Sequence, residues 1–122
     1  MSEKKRILII DDNEVIHLIL KKILEPFYDI CGEAFNGEDG FEKYKELNPD
    51  LVILDISMPG VSGFGCLKKI KEYDKNAKVI MLTAMDQEAV IEKVKYIGAT
   101  EFIPKPFKIE FLLEKIKDVI NS

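Results

Sequence analysis

The sequence predicts an α/β fold, a doubly wound five-stranded parallel sheet with helices on both faces. Three observations predict it. Across the 122 residues, short apolar runs alternate five times with longer stretches of helical period. Turn residues mark the boundaries between them. Finally, Ile7-Leu8-Ile9-Ile10, Leu51-Val52-Ile53-Leu54 and Val79-Ile80-Met81-Leu82 carry no polar residue on either face, as expected of strands covered on both sides. Short connections and right-handed crossovers then place helices above and below the sheet.

Taken in order, the strands are expected at Arg6–Ile10, Asp29–Ala34, Leu51–Asp55, Lys78–Leu82 and Glu101–Ile103. The first, third and fourth belong at the centre. The second and fifth are mixed in character and suit less buried places. Between them, helical spacing of apolar residues predicts helices at Glu14–Leu24, Glu38–Leu47, Phe64–Tyr73, Gln87–Ile97 and Ile109–Ile120. Pro26 ends the first helix, Asn36-Gly37 opens the second and Asn48-Pro49 closes it; Gly63 precedes the third, Gly98 closes the fourth and Pro106 precedes the fifth. On the first helix, Ile16, Ile19, Leu20 and Ile23 share the face expected to turn inward, Val15 and Leu24 widen it, and Leu18 points among charged neighbours. His17 falls beside that face and reads as a surface residue.

A hydrophobic content of 47% with 33% charged residues suits one globular domain, expected over residues 1–122, with no linker, repeat or low-complexity segment. Eighteen basic against 22 acidic residues give a net charge of −4, which excludes the uniform positive field that nucleic-acid binding requires. Lys4-Lys5-Arg6 reads as a solvated terminus. Cys31 and Cys66 lie far apart on a strand and a helix, so buried free thiols in a reducing compartment are expected. No apolar run approaches the roughly 18 residues of a membrane span, and the N-terminus lacks a signal-peptide pattern. A cytoplasmic protein without membrane insertion is expected.

Two of the apolar runs end in acids: Asp11-Asp12 after the first and Asp55 after the third. In open parallel sheets ligands bind beyond the carboxyl ends of the strands, where strand order reverses. For the order 2-1-3-4-5 that place lies between strands one and three, where these acids sit. Like charges so placed repel unless a cation separates them, and a hard ion such as Mg²⁺ prefers carboxylate oxygens and water. Thr83 and Lys105 follow two further strands and add a hydroxyl and an ammonium. Taken singly, Asp55 reads better as a turn starter, Thr83 as a helix cap and Lys105 as a solvated charge. Together they suit a phosphoryl group, whose transfer asks mainly for positioning and for cations on its oxygens.

These residues resemble the receiver domain of two-component response regulators, of the stand-alone chemotaxis and sporulation-relay type. The resemblance covers essentially the whole chain: Ile7 to Asp12, Asp50 through Asp55-Ile56-Ser57-Met58-Pro59-Gly60, Leu82-Thr83-Ala84 and Lys105-Pro106-Phe107. It implies the (βα)₅ flavodoxin-like fold. It also implies that Asp55 is phosphorylated, that Asp11, Asp12, Asp55 and the backbone carbonyl of Ser57 arrange Mg²⁺, with Mn²⁺ as a substitute, and that Thr83, Ala84 and Lys105 contact the phosphoryl group. A cis Lys105-Pro106 bond is implied as well.

The resemblance further implies a signalling switch, not a conventional enzyme, that catalyses only its own phosphorylation and dephosphorylation. The phosphoryl donor is a phosphohistidine on a partner histidine kinase or histidine phosphotransfer protein. The switch pair is Thr83 with Phe102, the latter lacking the hydroxyl that tyrosine often brings to this place. Partner docking is expected at Asn13, Val15, Ile16, Pro106 and Phe107, and a second surface at Lys93, Lys95, Tyr96, Glu101, Phe102 and Lys108, whose charges, taken singly, read better as a solvated face. The signal is expected to pass to a separate target protein. Two departures stand out: Ser62 replaces the acidic residue common before Gly63, and Gly65 weakens the first turn of the third helix, so the loop after Asp55 is expected to be mobile. A phosphohydrolase using an aspartyl phosphate would want Asp-x-Asp and a cap domain, and a flavin-binding module a phosphate-cradling loop after strand one. Neither pattern is in the sequence.

Overall fold

Strands with apolar residues on both faces have to lie inside a sheet covered from both sides, and the three such runs do. A computed structural model describes residues 4–56, 63–83, 92 and 95–122, with the backbone alone at Thr83. The strands are β1 (Arg6–Ile10), β2 (Asp29–Ala34), β3 (Leu51–Asp55), β4 (Val79–Thr83) and β5 (Glu101–Pro104). The helices are α1 (Glu14–Leu24), α2 (Gly37–Leu47), α3 (Gly63–Tyr73) and α4 (Ile109–Ile120). All strand pairs are parallel, in the order β2-β1-β3-β4-β5. The expected helix at Gln87–Ile97 lies mostly outside the described residues; of it, Glu92 and Lys95 to Ile97 are helical.

Alternation along the central strands divides the core in two. Leu8, Ile10, Val52, Leu54, Val79 and Met81 face Tyr44 of α2 and Cys66, Leu67 and Ile70 of α3. Ile7, Ile9, Leu51, Ile53, Ile80 and Leu82 face Leu20 and Leu24 of α1 and Leu112, Ile116 and Val119 of α4. β2 and β5 are the edges and are less buried, as their mixed sequences require.

Local chemistry sets the helix ends. The Asn13 side chain accepts from Val15 N–H at 2.8 Å to cap α1, and Asn36 accepts from Asp39 N–H at 2.8 Å to cap α2. Asn48 closes α2 in the left-handed conformation at φ 48°, and Gly98 adopts φ 118°. The inward face of α1 differs from expectation. It is centred on His17, Leu20 and Leu24, with Ile19 exposed and Ile16 and Ile23 half-buried. Leu18 points outward as expected.

Candidate functional site

Because Ile10 pairs with Leu54, β1 and β3 end side by side and deliver Asp11 and Asp55 to the same rim. Both are buried, whereas Asp12 is exposed. Carboxylate oxygens of Asp11, Asp12 and Asp55 all lie within 4.8 Å of one another. From the end of β5, Lys105 reaches in, its Nζ 3.1 Å from Asp11 Oδ2 and 3.6 Å from Asp55 Oδ1, with its side chain 19% exposed. Asp11 is fixed further by accepting from Asn13 N–H at 2.8 Å and by donating its own N–H to the Ala34 carbonyl at 3.1 Å.

The formal charge of this group, three carboxylates against one ammonium, is −2. A divalent cation balances it, and three clustered carboxylates provide the hard oxygen donors such an ion takes. The residues therefore fit Mg²⁺. The backbone behind Asp55 is equally close-packed. Gly63 N–H donates to the Ile56 carbonyl at 3.1 Å, and a Cβ at Gly63 would overlap the Asp55 carbonyl oxygen and stand 2.8 Å from that of Ile56. Only glycine allows α3 to start against the end of β3.

Of the other expected site residues, Thr83 is the last residue of β4 and pairs with Pro104 of β5, with its side chain outside the described atoms. Ser57 and Ala84 lie outside the described residues, as do the departure at Ser62 and the loop that holds it. Phe102 is partly buried and packs on the α2/α3 side of the core. The Lys105-Pro106 peptide is cis. Ile16, Pro106 and Phe107 come together with Ile19, Lys105 and Ile109 around a groove of about 420 Å³, and Val15 stands beside Ile16 on α1, 58% exposed. In the second expected surface, Tyr96 is fully outward and Glu101 pairs with Lys115 at 3.6 Å, while Lys93 lies outside the described residues.

A second expectation on α1 is overturned. His17 is not a surface residue: it is 1% exposed, its Nε2 lies 2.7 Å from the Asp11 carbonyl oxygen and its Nδ1 lies 2.9 Å from Glu33 Oε1. Helical spacing treated the imidazole as polar and turned it outward. The ends of β1 and β2 instead offer it two acceptors, which makes its burial favourable.

Residues 7–117 match the model of the response regulator receiver domain, and the chain belongs to that family. It is 42% identical to the chemotaxis protein CheY of Thermotoga maritima over 116 residues, covering 94% of this chain and 97% of the relative. With Bacillus subtilis CheY the identity is 42% over 117 residues, covering 95% and 98%. Among solved structures, CheY in the CheX–CheY–BeF₃–Mg²⁺ complex of Borrelia burgdorferi superposes with a TM-score of 0.91 at 36% identity, covering 94% of this chain and 88% of that one. The response regulator domain of Thermotoga maritima CheB gives 0.91 at 32% identity, covering 98% of both chains. Among the described residues no helix is long and apolar enough to cross a membrane.

Proposed function

We propose that this receiver domain is a phosphorylation-controlled switch that accepts a phosphoryl group on Asp55 from a phosphohistidine of a histidine kinase or histidine phosphotransfer protein. The observation that carries the reading is the convergence of Asp11, Asp12, Asp55 and Lys105 on one rim of the sheet. The carboxylate of Asp55 attacks phosphorus; the new O–P bond forms as the donor's N–P bond breaks, and the bonding pair leaves with the imidazole nitrogen. Asp11 and Asp12, with Asp55 and the Ser57 carbonyl, would hold Mg²⁺, which would supply positive charge against the transferring oxygens. Lys105 turns from the carboxylates toward one phosphoryl oxygen. Thr83 and the backbone of Ala84 take another.

The same groups later serve hydrolysis, so the domain catalyses both its own phosphorylation and its own dephosphorylation. Mg²⁺ in the Borrelia burgdorferi complex supports the choice of ion, and nothing favours Mn²⁺ in its place. The partner docks over Asn13, Val15, Ile16, Pro106 and Phe107 beside the site. Movement of Thr83 and Phe102 passes the change to a separate target protein; that a related CheY, from Borrelia burgdorferi, forms a complex with CheX supports partner binding by such a domain.

Intact mass after incubation with acetyl phosphate tests the proposal. The expected result is one added PO₃ group in the wild type with Mg²⁺, none with a chelator and none in Asp55→Asn. Equal modification of wild type and variant removes Asp55 from the role.

A further inference from the structure

Asp11 is tied at every polar atom it carries. Its N–H, Oδ1 and Oδ2 are held by Ala34, Asn13 and Lys105, all close to it in the sheet or along the chain ends of the rim. The fourth tie comes from within α1, where His17 Nε2 lies 2.7 Å from the Asp11 carbonyl oxygen. That ring is itself fixed on its other sides. Nδ1 lies 2.9 Å from Glu33 Oε1, Glu33 Oε2 accepts from Lys21 Nζ at 3.3 Å, the Glu33 carbonyl accepts from Lys43, and Phe35 stacks on the imidazole at 4.1 Å between centroids.

Hydrogen-bond accounting orders the protons. A backbone carbonyl only accepts, so Nε2 carries a proton, and Nδ1 faces Glu33 Oε1. The carbonyl so held belongs to the peptide unit that joins Asp11 to Asp12. Beyond Ile10 the pairing of β1 with β3 stops, so the sheet no longer sets the plane of that peptide. Rotating it would swing both acids at once.

We infer that His17 is a positioning residue for the acidic cluster: its Nε2–H, braced by Glu33, fixes the Asp11–Asp12 peptide and so sets where both carboxylates stand toward a divalent cation. The inference rests on reading the rim as a cation site. Partners of this kind behind metal ligands are worth about 10-fold or more in affinity.

Two substitutions separate the roles of the ring nitrogens. His17→Gln places an amide N–H near the Nε2 position and keeps the bond to Asp11; His17→Asn places it near Nδ1 and keeps only the contact with Glu33. Calorimetric titration with Mg²⁺ is expected to give near-wild-type affinity for His17→Gln, about 10-fold weaker binding for His17→Asn, and a loss for the control Asp12→Asn. Nitrogen-15 spectra of the wild-type imidazole are expected to show Nε2 protonated without any metal. Equal affinities for the two His17 variants, or an unprotonated Nε2, overturn the inference while leaving the cation site in place. A wild type that binds no Mg²⁺ overturns the cation site and the inference with it.

Discussion

At the scale of single residues, burial decides which polar groups this domain carries and what each must touch. Asp11, Asp55 and His17 are the buried polar or charged side chains among the described residues, and all three lie at one rim of the sheet. Elsewhere the interior is apolar, and there burial acts on ionisation instead. It pushes the Cys66 thiol from its ordinary 9.0 up to about 12, with nearby Lys69 opposing the shift more weakly. The sign of the consequence follows from proton counting. As pH rises above 9.0 the unfolded chain gives up this proton while the folded chain keeps it until about 12, so stability falls across that window. The slope expected from this one group is on the order of 1 kcal/mol per pH unit. Urea denaturation at neutral pH and in the alkaline window checks it: Cys66→Ala is expected to lose less stability than the wild type over the same interval, and equal losses contradict the account.

At the scale of elements, the sequence made some things plain and hid others for physical reasons. β1, β2, β3, α1 and α4 begin and end where expected, because an apolar run or a helical stripe meets a turn residue at both ends of each. β4 and β5 each end one residue later than expected, since their last residues pair with each other as Thr83 with Pro104, and β4 also begins one residue later, at Val79. Gly63 and Gly37 fall inside their helices instead of before them. The acidic rim was legible because three carboxylates after aliphatic runs have no other economical place. The role of His17 was not, because it depends on how α1 sits over the ends of β1 and β2, which helical periodicity cannot register. Half-buried Ile16 on α1 lines one groove with Phe107, exposed Val15 is its neighbour in the chain, and this combination suits a partner's apolar surface. Val15→Asp is expected to fold normally, because the position is exposed. Its phosphorylation by acetyl phosphate should match wild type, whereas transfer from a phosphorylated histidine phosphotransfer domain active on the wild type should slow by about 10-fold, the effect of losing roughly 1.4 kcal/mol at an interface. Unchanged transfer would move the docking surface elsewhere.

At the scale of the whole molecule, the fold separates support from chemistry. Two apolar layers hold a rigid parallel sheet, and the strand ends gather charge that neither layer could tolerate. Three carboxylates with one ammonium leave a deficit of positive charge at that rim, and in the proposed function a divalent cation and a phosphoryl group change the charge that Lys105 and its neighbours balance. In the proposed function, phosphorylation is a local electrostatic event read out at a distance through β4 and β5. The measurement that tests this most directly locates the acyl phosphate itself. Borohydride reduces an aspartyl phosphate to homoserine, so protein incubated with acetyl phosphate and Mg²⁺, reduced and sequenced by mass spectrometry, reports which carboxylate was modified. The account predicts homoserine at position 55 alone, dependent on Mg²⁺; homoserine at position 11 or 12, or at none of the three, contradicts it.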